Sequence, residues 1–269
     1  MKIIQKLIIP KCIRAGVCII NNPLALLASA LVDVLALVMF GYLSAPVYAK
    51  LTEHIIIIGT LVSQKLQPAR GQSVLTALYS VDISGFVKQM FLLLGLLLMI
   101  VYVLFAISQG VNFSIAKYMM NRKTAIIEEI TTTAKTAAVW SIILAGAYFI
   151  RTVAEIRQVI VSKFSEGIGF MQVLEGIEVL LIITALATFA AGSFRKGVLW
   201  ISNQKLLFLY CIGITLLLFG AISIALRLLG SINPMLVLLG GLFLFFPALA
   251  WLRIFFIQIT AEMTRKAEA

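Results

Sequence analysis

Three stretches of this chain carry no charged residue at all: 89–107, 206–226 and 228–252. A helix needs about 20 apolar residues to cross about 30 Å of hydrocarbon. Lipid offers no partners to backbone N–H and C=O groups, so runs of this length must fold as helices that satisfy those groups internally. Shorter or interrupted apolar runs recur at 24–43, broken only by Asp33, at 133–150 and at 175–194. Composition agrees: 62% of the residues are hydrophobic and 12% charged, with a mean hydropathy of +1.08. That charged fraction is about half that of a soluble domain. A soluble globular domain, a disordered chain and a nucleic-acid-binding domain are thereby excluded, and the net charge of +11 is read as orientation in a membrane and attraction to anionic head groups. The expected fold class is all-α, a polytopic bundle of about six spanning helices preceded by an N-terminal amphipathic interfacial helix.

Three regions are expected. Residues 1–22 form the interfacial helix, broken at Pro10, with Lys11, Arg14, Cys18 and Asn21 recurring on one helical face as a head-group-facing surface would require. Residues 23–257 form a single transmembrane domain, and 258–269 a short polar cytoplasmic tail. Asn22-Pro23 and Asn233-Pro234 open the first and sixth crossings, because Asn caps a helix N-terminus and Pro is tolerated in its first turn. The segment from His54 to Gln64 is apolar but only eleven residues long, so it is expected to be interfacial or re-entrant rather than spanning. Pro68, Gly71 and Gly85 mark turns around another short helical piece. A further turn is expected near Asn121, and Pro247 should kink the last helix. With six crossings, fourteen Lys and Arg fall on the N-terminal side and eight on the other. The positive-inside rule then puts both termini in the cytoplasm, and the expected location is the plasma membrane of a prokaryote.

Few side chains could carry chemistry. Asp33 lies about ten residues into the first crossing, near the midplane, where a carboxylate costs about 2.5–3.5 kcal/mol on insertion scales. No Lys or Arg is expected at its depth. It must then be protonated, hydrogen-bonded to a hydroxyl or amide, or open to internal water. Two readings stand open: a site for a proton, cation or substrate, or a structural bond between helices. On the second crossing Gly95, Tyr102 and Gln109 repeat every seven residues and Asn112 lies one turn from Ser108, a polar seam of the kind that joins membrane helices. Tyr102 is the expected first partner of Asp33, with Gln109 second. Arg151 and Arg157 end the third crossing on the side where Glu175 and Glu178 begin the fourth, so ion pairs across that hairpin are expected.

Catalysis, metal and cofactors are not expected. There is one histidine, the three cysteines Cys12, Cys18 and Cys211 form no paired motif, and no phosphate loop, nucleophile elbow or zinc signature occurs. The basic amphipathic start, Asn21-Asn22-Pro23 and Trp251-Leu252-Arg253 give the chain a faint likeness. It resembles multi-pass integral membrane protein families of archaeal type that have no known activity. The resemblance implies a membrane fold and brings no chemistry with it. The expected function is a non-enzymatic membrane scaffold or a partner- or lipid-binding subunit, the alternative a transporter or permease-like subunit using Asp33. Expected partners are membrane lipids and other membrane-protein subunits, with no nucleic acid.

Overall fold

A computed structural model describes residues 2–66, 81–122, 125–161 and 168–267, and among these every regular element is helical. In chain order they are α1 (Lys2–Ile20), α2 (Pro23–Leu66), α3 (Val81–Met119), α4 (Ile126–Val161), α5 (Ile168–Ala190), α6 (Phe194–Asn203), α7 (Lys205–Ile232), α8 (Pro234–Gly240), a π-helical turn (Gly241–Phe245) and α9 (Phe246–Ala267). Four described stretches are long and apolar enough to cross a membrane: Pro23–Leu61, Ser84–Met119, Lys205–Ile232 and Pro234–Ala261. A fifth arises if Gly176–Ala190 and Phe194–Asn203, bent by 111°, form one broken span. The remaining expected crossing, 133–150, lies in α4, whose charge-free part, 136–150, is shorter than a full crossing requires.

The chain divides into two compact units. The smaller unit, 35–104, contains α2 from Leu35 onward and α3 up to Leu104. Here the expectation for 54–64 is corrected. These residues are neither re-entrant nor a separate interfacial piece; they continue α2, which runs unbroken for 44 residues, about 66 Å. Pro46 lies inside the helix. A proline removes a single backbone bond, and the helix carries on because its later turns have something to pack on. Ile58 packs with Leu61 against Phe86, Val87 and Met90. His54 Nε2 lies 2.7 Å from Gln89 Oε1, and its ring meets Phe86 edge-on. The turns expected at Pro68 and Gly71 lie outside the described residues, and Gly85 is inside α3.

The larger unit, Met1–Val34 with Phe105–Ala269, has its core on α9. Leu252 to Thr260 are all buried, Phe255, Phe256 and Ile257 included. Helix α1 covers α9 on one side and α5 and α6 on others. Trp251 stacks on Phe255 at 5.0 Å and donates through Nε1 to the Cys12 carbonyl of α1 at 3.1 Å. Thr260 donates to the Ala190 carbonyl of α5 at 3.2 Å. Gln258, Ile259 and Thr260 also belong to this packing.

Local chemistry sets the joints. Asn233 caps α8 by accepting from Met235 N–H at 2.9 Å, with Pro234 in the first turn. Ahead of Pro247 the helix widens into the π turn, a local adjustment that removes the crowding a proline imposes on the turn before it. Gly192, at φ +76°, supplies the left-handed residue between α5 and α6, and Ser193 caps α6 by accepting from Lys196 N–H. Trp200 of α6 is buried, with its ring edge-on to Phe208. Gly110 lets α3 and α4 meet backbone to side chain: a Cβ there would stand 2.7 Å from Cα of Ile130.

Candidate functional site

Ser29 and Asp33 are one helical turn apart on α2, and Gln109 and Asn112 one turn apart on α3, so each pair shares a helix face. Both faces meet Arg253 of α9, and all five residues belong to the larger unit. The Arg253 guanidinium grips the Asp33 carboxylate with two parallel bonds: Nη1 to Oδ2 and Nη2 to Oδ1, each 2.8 Å. This two-point geometry is the strongest form of the carboxylate–arginine pair. Asn112 Nδ2 donates to Asp33 Oδ1 at 2.8 Å. Ser29 donates to Asn112 Oδ1 at 2.9 Å and receives a longer bond of 3.4 Å from Arg253 Nη1. Arg253 Nε donates to Gln109 Oε1 at 3.2 Å. The bonds close a ring through Ser29, Asn112, Asp33 and Arg253, with Gln109 attached to it.

Burial makes this ring consequential. Asn112 is fully enclosed, Ser29 is 2% exposed, Arg253 3% and Asp33 7%. Stripping water from an ion is expensive, and the mutual attraction offsets that only where geometry is good and the remaining lone pairs and protons are satisfied. Here both carboxylate oxygens are engaged and Arg253 directs bonds to three residues on two helices. The pair is also neutral as a whole, which suits an apolar surround. Chemically the arrangement holds α2, α3 and α9 together. Both Asp33 oxygens already accept bonds, three in all, so an incoming proton or cation would compete with Arg253 for them.

The sequence expectations meet this geometry unevenly. Asp33, Gln109 and Asn112 come together. The expectation that no basic residue shares the depth of Asp33 is corrected by Arg253, one of the fourteen basic residues that the charge count puts on the N-terminal side. The described bonds to Asp33 come from Arg253 and Asn112, and Tyr102 belongs to the smaller unit. Two signals pointed to the missed residues. Arg253 is the lone charge within an apolar stretch continuing through Ile259, and Ser29 stands four residues before Asp33. Along α4 and α5, Arg151 Nη1 donates to Glu178 Oε2 at 2.9 Å, both partly exposed. The side chains of Arg157 and Glu175 lie outside the described residues. A further pair that was not expected, Lys117 with the buried Glu129, ties α3 to α4 across the Asn121 turn. Trp140 of α4 donates to Thr188 of α5 at 2.7 Å.

Comparison with protein families, with curated proteins and with solved structures finds no match to this chain. The functional reading therefore rests on its own residues.

Proposed function

We propose that this chain is an integral multi-pass membrane protein of a prokaryotic plasma membrane that acts without catalysis, as a scaffold or a partner- and lipid-binding subunit. The closed environment of Asp33 carries this reading. An intramembrane acid that loads and unloads a proton, cation or substrate needs a path to water and a lone pair to offer. Asp33 is 7% exposed, and both its oxygens are engaged by Arg253 and Asn112. A clamp of this kind fixes helices against one another, which is the requirement of a scaffold.

The proposed topology counts α2, α3, α4, the bent α5–α6 pair, α7 and the α8–α9 stretch as six passages. In α4, Lys135 and Arg151 bracket the short apolar part and reach toward opposite head-group layers. Helix α1 lies along the inner interface, and both termini face the cytoplasm because the basic residues, leaving out the buried Arg253, favour that side thirteen to eight.

Two experiments test this. In a cysteine-free background, single cysteines at 125 and 202 should label from the cytoplasmic face and one at 160 from the outer face; the reverse pattern refutes the orientation. For the role of Asp33, the full chain is reconstituted in vesicles enclosing a pH-sensitive dye, with and without Asp33→Asn. The scaffold reading expects the same passive proton leak from both. A gradient-driven flux present in the parent and lost in Asp33→Asn would establish the transporter alternative instead.

A further inference from the structure

Beside the α1–α9 contact the larger unit opens a hollow of about 690 Å³, within the size range of small-ligand sites. Lys11, Arg14 and Cys18 line it from α1, Asn121 and Arg122 from the turn after α3, and Gln258 from α9. Each element places its contribution for a local reason. Lys11, Arg14 and Cys18 recur three and four residues apart, so they share one face of α1. Asn121 sits in the left-handed region at φ 57°, with Asn121 N–H bonded to the Tyr118 carbonyl and Arg122 N–H to the Lys117 carbonyl. That pair of hydrogen bonds is the ordinary way a helix ends on an αL residue, and it sets Arg122 in the wall of the hollow that α1 also lines.

Two features of the hollow are not explained by folding. First, it gathers three basic side chains, and among the described residues no hydrogen bond or ion pair engages the exposed guanidinium of Arg14 or of Arg122. Second, Gln258 is 8% exposed, and neither its amide nitrogen nor its amide oxygen has a hydrogen-bond partner. A buried amide left unpaired costs free energy that an apolar residue of the same size would avoid. A side chain kept in that condition, next to converging cations, fits a polar ligand that arrives later.

We propose that this hollow binds the phosphate group of an anionic phospholipid of the inner leaflet. Arg14 and Arg122 hold the phosphate oxygens as guanidinium groups do, Lys11 adds charge, and the amides of Gln258 and Asn121 donate to the ester or head-group oxygens. The position fits the ligand: α1 in the proposed topology lies in the head-group layer, and Lys117, at the hollow's end of α3, marks where the charge-free part of that helix stops. The proposal rests on the membrane reading above, which is checked separately by resistance of the full chain to alkaline carbonate extraction.

The test uses the purified full chain in zwitterionic nanodiscs, titrated with short-chain phosphatidylglycerol, with short-chain phosphatidylcholine and with inorganic phosphate. Phosphatidylglycerol should bind saturably and phosphatidylcholine weakly. The Arg14→Gln/Arg122→Gln variant should lose roughly tenfold in affinity for each guanidinium removed. Gln258→Leu should weaken binding while raising the melting temperature of the ligand-free protein by about 2–4 °C, a combination that a merely structural glutamine does not give. Saturable binding of inorganic phosphate with the same losses, and no advantage for the lipid, would overturn the lipid as ligand and leave a site for a soluble phosphate ester. Phosphatidylglycerol affinity unchanged in both variants, with carbonate resistance intact, would overturn the site itself and leave the membrane reading standing.

Discussion

Replacing Arg253 by methionine keeps much of the side-chain length and removes the charge. The Asp33 carboxylate is then left in a site where it is 7% exposed, with Asn112 as its remaining described donor. Breaking a buried ion pair from one side costs about 3–5 kcal/mol, most of it from the uncompensated charge rather than from the lost attraction. Replacing Asp33 by leucine in the same molecule removes that charge. What stays behind is neutral: Ser29 and Asn112 keep their mutual bond of 2.9 Å, while the Asn112 amide and Gln109 each lose one partner. Unmet neutral groups of this kind cost about 1–3 kcal/mol. The Asp33→Leu/Arg253→Met double variant should therefore be more stable than Arg253→Met alone by about 2 kcal/mol, although it carries one more substitution. The protein contains its own reporter, since Cys211 is fully buried and reacts with a fluorogenic maleimide only when the bundle opens. With Cys12 and Cys18 changed to serine, thermal melts of parent, both singles and the double complete the cycle. A double variant no more stable than Arg253→Met, or an Arg253→Met as stable as the parent, would refute the claim that the ring clamps the helices through charge compensation.

Three further outcomes are expected. Gly110→Val should lower stability by about 1–3 kcal/mol in the same melt, because its Cβ has only backbone and side-chain atoms of Ile130 to meet; wild-type stability would show that α3 and α4 do not approach there. Glu178→Gln should cost no more than about 1 kcal/mol, and less at high salt, because its bond to Arg151 lies at a partly wet position; a loss several times larger would place the pair in lipid. Burial holds the Cys12 thiol above the ordinary value of 9.0. Its thiolate fraction is therefore depressed at neutral pH, and its alkylation rate should keep rising with pH after a free thiol has levelled off; a rate that levels with the free thiol would contradict its burial against α9.

Spanning segments are local properties, and the chain states them residue by residue. Charge-free runs at 206–226 and 228–252 coincide with α7 and the α8–α9 stretch because a backbone in lipid has only its own segment to bond with. Asn233-Pro234 opens α8 for an equally local reason, since a cap depends on the next two or three residues. Asp33 also stood out in the sequence as an acid in an apolar run, and the seam on α3 marked Gln109 and Asn112. The partner of Asp33 was decided elsewhere. Arg253 lies 220 residues away in sequence, and whether a basic residue at the end of a crossing turns outward to head groups or inward to an acid depends on which helices surround it. Leu252 to Thr260 are enclosed by α1, α5 and α6, so Arg253 could turn inward. The length of α2 was settled in the same way. Residues 54–64 are too few to cross by themselves, yet they continue a helix because Phe86, Val87 and Met90 on α3 give Ile58 and Leu61 a surface to bury. Periodicity and charge fix what a segment can be; only its neighbours determine where it stops and which of its polar groups it spends on them.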